Sequence, residues 1–306
     1  MTRLADKIIL FSFLIFLLGS CAEPLENELP EELTGLENLA FGTDSTLEII
    51  TWNLKEFPLS NLVTVAYVTQ IIYHLDVDIV ALQEIGDASK FDEVVAGLNQ
   101  RDSLSIWNGY RSDEAYYNID LAIIFKSSYV ISNNIYEIYQ NDSDAFPRPP
   151  LIIDFNIGNI QYFVINNHLK ALSGSDNEDR RRAASQKLQD YIQANLAGEN
   201  VVIVGDLNDE IQEPADQNVF QNFINAPTEY KFTDMEIAIG SQYSWSYPSY
   251  PSHLDHILIT SELFDEFAKS ESEVKTIRIH DELEGGWNVY STKISDHLPV
   301  AWRFAP

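Results

Sequence analysis

Lys293–Phe304 reads KISDHLPVAWRF. Its second half, VAWRF, has the β-branched and aromatic make-up of a strand. Just ahead of it stand Asp296 and His297, two ionisable groups side by side where the chain enters an apolar run. Taken alone, Ser295-Asp296 caps a turn and His297 is an ordinary loop histidine. Repetition makes the pair informative. Asn53 ends LEIITWNL, Glu84 falls at the end of DIVALQEI, and His168 closes YFVINNHL. Asp206 and Asn208 finish VVIVGDLN, and Asp255 lies in HLDHILIT. Strands that lie side by side bring such ends to one rim, the usual ligand position in α/β sheets.

Between these runs the periodicity changes. NLVTVAYVTQIIYHL, FDEVVAGLNQ and DNEDRRRAASQKLQDYIQANL have helical spacing, whereas LAIIFK, LIIDFNIG and IQYFVINNHL read as strands. The last two are separated by Gly158-Asn159, a hairpin signal. VKTIRIHD reads as a further strand. Near-continuous and alternating strands interleaved with helices imply a mixed α/β domain whose sheets are covered by helices. No linker or fixed-period repeat follows residue 46, so residues 46–306 read as one domain.

The chain carries 19 Lys plus Arg against 47 Asp plus Glu, a net charge of -28. Such a field repels anionic partners except where bases are concentrated, which excludes nucleic-acid affinity over the whole surface. Residues 1–20 read as a targeting segment, with Arg3 and Lys7 ahead of the short apolar run IILFSFLIFLLG. Their removal takes away Arg3, Lys7 and Asp6, one net positive charge, and leaves -29. The run ends in LLGSC, which resembles the lipidation signal of bacterial lipoproteins with Cys21 as the modified residue; a plain secretory signal is the other reading. Cys21 is the single cysteine of the chain, so no internal disulfide can form. Residues 21–45, acidic and without strand pattern, read as a tether, within which LENELPEELTGLENL can form short helical turns.

The polar rim residues lack thiolates and are rich in oxygen donors. Asn53, Glu84 and Asp296 are hard ligands suited to Mg²⁺, with Mn²⁺ or Ca²⁺ as alternatives. A divalent ion beside His168 and His297 is a kit for phosphoester cleavage. Arg148 and Lys170 are the candidate substrate-phosphate contacts. The run Arg180–Arg182 reads as a solvated helix face paired with Glu178 and Asp179. Two-residue spacing on extended chain turns Asp206 and Asn208 the same way, and likewise His168 and Lys170.

In this order, TWNLKEF, ALQEI, NNHLKA, GDLND, HLDHIL and SDHLPV resemble the endonuclease/exonuclease/phosphatase superfamily, over residue 46 to the end. The resemblance implies a deoxyribonuclease I-like four-layer α/β sandwich, two packed mixed β-sheets flanked by helices. It also implies roles. Asn53, Glu84 and Asp296 are metal-side residues, and Asp206 and Asn208 orient water and contact phosphate. His297 is oriented by Asp255, and His168 and Arg148 match deoxyribonuclease-like members. Either His297 or Asp206 can be the base.

The expectation is therefore an exported, lipid-anchored, monomeric, metal-dependent phosphodiesterase, periplasmic or at the cell surface, acting on nucleic acid. The alternatives are a phospholipid or sphingomyelin phosphodiesterase, an inositol polyphosphate phosphatase, and a binding lipoprotein without catalysis. SQYSWSYPSYPSH, just before Asp255, is a candidate substrate loop.

Overall fold

The computed structural model describes residues 35–113, 115 and 119–306. The expected leader, Cys21 and most of the tether lie outside the described residues. In chain order the elements are β1 (Leu47–Phe57), α1 (Leu62–Leu75), β2 (Ile79–Ile85), α2 (Ala88–Arg101), β3 (Trp107–Arg111), β4 (Asp120–Lys126), β5 (Ile131–Glu137), β6 (Leu151–Ile157) and β7 (Ile160–His168). There follow α3 (Ser175–Asn195), β8 (Asn200–Asp206), α4 (Gln221–Ile224), β9 (Tyr230–Phe232), α5 (Met235–Ala238), β10 (Asp255–Thr260), α6 (Phe264–Phe267), β11 (Glu273–Thr276), α7 (Gly286–Lys293) and β12 (Val300–Phe304).

Two six-stranded sheets result, in the orders β11-β12-β1-β2-β4-β3 and β5-β6-β7-β8-β10-β9. Each contains one parallel pair, β1 with β2 and β7 with β8, among antiparallel neighbours. The period of two decides how they stack. Leu47 and Ile49 of β1 point into the apolar layer shared with Ile153, Val164, Val204 and Ile257 of the other sheet, while Ile50 and Trp52 point out under α1 and α2. On the far side Ile152, Ile165 and Ile203 pack beneath Ala184, Leu188 and Ile192 of α3. Strands buried on both faces explain the apolar runs in the sequence. The architecture is thus the four-layer sandwich that was expected.

Amide side chains fasten the sheets together just behind the rim. Asn166 on β7 donates to the carbonyls of Leu82 (2.9 Å) and Ala122 (3.0 Å) on the other sheet, and accepts from Gln83 Nε2 (2.7 Å). Each buried amide gains partners across the gap, which fixes one sheet against the other.

Two readings change. The packed unit begins before residue 46, because a single turn over Leu36–Leu39 puts Leu36, Leu39 and Phe41 into the core beside α1. Three apolar residues in LENLAF suffice to dock this segment although its acidic neighbours suggested a tether. VKTIRIHD forms a strand only over Glu273–Thr276 and then turns at Ile279–Asp281. Among the described residues no helix is long and apolar enough to cross a membrane.

Candidate active site

The strand ends converge as expected. In the register of β7, β8 and β10, His168 stands opposite Asp206, and Asp206 opposite Asp255. That alignment requires Gly205. Its φ is 149°, and a Cβ there would lie 2.0 Å from the Asn167 carbonyl oxygen, so only glycine lets the two strands close up. From the other sheet, Asn53 reaches across and its Nδ2 bridges Asp206 Oδ2 (2.9 Å) and Glu84 Oε1 (3.1 Å). The Asn53 oxygen accepts from the Lys55 N–H (2.8 Å). That backbone donor sets the amide orientation, so the Asn53 NH₂ side bridges two acids.

Glu84 is held at φ 63°, with Oε2 accepting from the Glu56 N–H (2.9 Å). A non-glycine residue in this region costs backbone energy that the surrounding contacts must offset. The Asp296 carboxylate meets Lys55 Nζ at 2.7 Å. This hydrogen bond, then the charges of Asp296, Tyr247 and Glu84 acting against the cost of burial, raise the Lys55 pKa. An ammonium already neutralises this acidic corner. The corner has the chemistry of a hard-cation site, with Glu84 and Asp296 as the residues to hold a divalent ion.

His297 is fixed from several directions. Its Nδ1–H donates to Asp255 Oδ2 (2.7 Å), its N–H to Ser295 Oγ (3.0 Å), and Tyr290 Oη and Trp52 Nε1 donate to its carbonyl (2.5 and 3.3 Å). The Tyr247 ring lies 4.7 Å from the imidazole, centroid to centroid. Nε2 faces Asp206 Oδ2 at 3.9 Å. Burial opposes charge on His297, yet Asp255, Asp206 and Asp296 raise its pKa to about 10. Burial pushes Asp206 up to about 7; Asp255 and Glu84 add to the rise, while His297 and the Asn53 hydrogen bond oppose it. Asp206, Asp255 and His297 hold ligand-capable atoms within 4.8 Å of one another. His168 is kept neutral by burial and then by the charges of Arg148 and His297; its Nε2 sits 3.5 Å from Asp206 and 3.8 Å from Glu84.

Spacing arguments fare less well beyond the strand ends. β8 stops at Asp206, and Asn208 is in a left-handed turn with φ 55°, its N–H donating to Asp206 Oδ1 (3.0 Å). An Asx turn, not an extended chain, brings the pair together, and Asn208 Nδ2 reaches back to the Leu169 carbonyl (3.3 Å). His168 and Lys170 part company, because Lys170 enters a separate cavity with Arg148. The arginine run is not a solvated face. Arg181 is buried, its Nε donates to Asp209 (2.8 Å), and Nη1 donates to the carbonyls of Lys170 (2.7 Å) and Leu172 (3.0 Å). The acids beside it in sequence lose to a partner 28 residues away. Within the aromatic loop, Ser246 rather than Trp245 serves the site: its Oγ accepts the N–H groups of Leu254 (3.1 Å) and Asp255 (3.2 Å).

Sequence reasoning also missed a buried trio behind the site. Asp234 Oδ2 accepts from His253 Nε2 (3.0 Å) and His256 Nδ1 (2.6 Å), and Oδ1 from the Ile257 N–H (3.0 Å). His253 Nδ1 accepts the Ser246 N–H (3.2 Å), so His253 is neutral. His256 Nε2 must donate to the Asp209 carbonyl (2.9 Å), so both its nitrogens donate and the ring is an imidazolium. Burial works against both charges, and the mutual attraction wins: the Asp234 pKa falls and that of His256 rises. These three side chains can also group round a metal, but every donor nitrogen and both carboxylate oxygens are already used. The only sequence signal was the polar D and H residues in TDMEI and PSHLDH, which pass for loop residues.

Comparisons with known proteins bear on the fold and the family. Among solved structures the chain resembles D. rerio TDP2 complexed with a single strand DNA product (16% identity, TM-score 0.62, covering 86% of this chain and 100% of that one). It resembles the human Nocturnin catalytic domain with bound sulfate (16%, 0.59, 85% and 93%). It also resembles an endonuclease/exonuclease/phosphatase from Bacteroides vulgatus (15%, 0.59, 85% and 99%). At such identities the likeness speaks for the fold. No curated protein matches the sequence. Residues 50–297, a span that covers most of the packed unit, match the Endonuclease/Exonuclease/phosphatase family, to which the chain therefore belongs as a phosphoester-hydrolysing enzyme.

Proposed function

We propose that the protein is a divalent-metal-dependent phosphodiesterase that cuts nucleic-acid strands, and that it works outside the cytoplasm on a lipid anchor at Cys21. The observation that carries the catalytic reading is the Asp206–His297 pair, 3.9 Å apart, whose environments raise both proton affinities and so leave one group a base and the other an acid near neutral pH. Asp206, up at about 7, accepts the proton of an attacking water near neutral pH. His297, up at about 10, enters the reaction charged and presents Nε2–H to a phosphoryl or leaving oxygen. Asp255 holds its tautomer through Nδ1. Neutral His168 offers a hydrogen bond beside Asp206. Glu84 and Asp296 would hold a divalent ion, Mg²⁺ in this reading, which would supply positive charge for the phosphoryl oxygens.

Support for nucleic acid as substrate comes from Arg148 and Lys170 at the edge of the site in an otherwise acidic chain, and from the DNA-bound state of the D. rerio relative. The test is to incubate the purified chain with plasmid DNA, RNA, sphingomyelin and inositol polyphosphates, each with Mg²⁺ and with chelator. Metal-dependent cleavage of DNA or RNA is expected. Cleavage of lipid or inositol phosphate alone overturns the reading. For the anchor, Cys21→Ser is expected to release the protein from membranes, and retention there removes the lipoprotein assignment.

A further inference from the structure

Beside the acid-rich centre lies a cavity of about 310 Å³ with the opposite character. Arg148, Lys170 and Arg180 line it together with Ser143, Pro147 and Leu172, and none of its lining residues is acidic. In a chain with 47 acids and 19 bases, three cations round one opening are not what a random surface provides. The like charges act on one another: burial first, then Arg180, Arg148 and Arg181, lower the Lys170 pKa. The hydrogen bond of Lys170 Nζ goes to a neutral carbonyl, that of Ala171 (2.9 Å).

The cavity is built, and it adjoins the reaction centre. Arg180 donates through Nη2 to the Ser143 carbonyl (3.0 Å) and through Nε to that of Asp144, which fixes the guanidinium at the wall. Arg181, one residue on, holds the Lys170 and Leu172 carbonyls from behind. Arg148 and Lys170 line the cavity, and Leu169, between His168 and Lys170, donates its N–H to the Asp206 carbonyl (3.0 Å) and accepts from Asn208 Nδ2 (3.3 Å), so the chain passes from the reaction centre directly to the cavity wall. A phosphate reacting between Asp206 and His297 therefore has a second, cationic cup near it, in which Arg180 is paired at one edge with Asp144 Oδ1 (3.4 Å).

We propose that this cup binds a second phosphate of the substrate, adjacent to the one being cleaved, and that the enzyme selects phosphodiesters within a strand over isolated ones. The proposal rests on the phosphodiesterase reading and narrows it to substrates with consecutive phosphates, since a sphingomyelin-type diester has one phosphate and nothing to place in the cup.

The experiment is calorimetric binding to the full chain of two probes, thymidine 3′,5′-bisphosphate and thymidine 5′-monophosphate, at one Mg²⁺ concentration. The bisphosphate is expected to bind about tenfold tighter, the scale of one added charge-assisted hydrogen bond. Arg180→Gln and Lys170→Met are each expected to shrink that ratio to about threefold or less, and Arg180→Lys to keep most of it. Equal affinities in the unaltered protein, or a ratio that survives both Arg180→Gln and Lys170→Met, overturn the proposal. Inositol 1,4-bisphosphate against inositol 1-phosphate forms the second arm; a preference there, without one between the thymidine probes, overturns the strand assignment. Because binding needs no turnover, a missing bisphosphate preference and a missing hydrolytic activity are separate results.

Discussion

Replacing Asp234 by Asn changes one atom type in a fully buried site, and the surrounding donors leave the amide no good orientation. If its oxygen faces the Ile257 N–H, its NH₂ meets the His253 Nε2–H. If it is turned round, NH₂ meets the Ile257 N–H instead. His253 cannot change tautomer, because Nδ1 is committed to the Ser246 N–H. His256 meanwhile loses its counter-charge. Breaking a buried ion pair by removing one partner costs about 3–5 kcal/mol, and each kcal/mol lowers Tm by about 2–4 °C in a domain of this size, so a fall of roughly 6–20 °C is expected. The effect has a pH signature. Asp234 ordinarily titrates at 3.8 and is depressed here, so its contribution is present above that value and is lost as pH falls toward the depressed pKa. His256 ordinarily titrates at 6.5 and is raised, so its contribution is full below 6.5 and is lost as pH rises through the folded value. The gap between the unaltered protein and the variant is therefore widest from about pH 4 to 6.5 and narrows above it. Urea denaturation at pH 5.5, 7 and 9 measures it. A gap below about 1 kcal/mol, or one that does not vary with pH, refutes the charge assignment.

Gly205→Ala forces a Cβ to 2.0 Å from the Asn167 carbonyl oxygen and is expected to separate β7 from β8. A loss of about 3 kcal/mol or more, or failure to fold, follows in denaturation. Arg181→Met leaves Asp209 and the Lys170 and Leu172 carbonyls without their donor, and a cost of about 3–5 kcal/mol is expected by the same measurement. Asp255→Asn keeps the volume but removes the negative charge that supports His297 Nδ1–H and sets an amide NH₂ beside the imidazole, where it can select the wrong tautomer. A fall in kcat on the order of 10³-fold with a near-normal Tm is expected.

The sequence announced the site wherever a polar residue closed an apolar run. Asn53, Glu84, His168, Asp206, Asp255 and His297 were visible in this way because strand ends have few bland reasons to be acidic or imidazole-bearing. Their meeting depends on strand order, which periodicity does not encode; the motif resemblance supplied it. What stayed hidden depends on distant partners. Arg181 looks like an exposed helix residue until Asp209 is placed beneath it, and Asp234 and His253 look like turn residues until β10 brings them to His256. Lys55 was illegible for the same reason, since its partner Asp296 is 241 residues away. Leu36, Leu39 and Phe41 were lost among acids, where three apolar side chains outweigh the charge of a segment that remains solvated on its other side.

The most direct test of the central claim, that phosphodiester cleavage runs on Glu84 and His297, compares Glu84→Ala and His297→Ala with the unaltered chain on a single-stranded oligonucleotide in Mg²⁺. Each variant is expected to keep its fold and to lose at least about 10²-fold in rate, and chelator to stop the unaltered enzyme. Undiminished cleavage by either variant, or by the unaltered chain in chelator, contradicts the account.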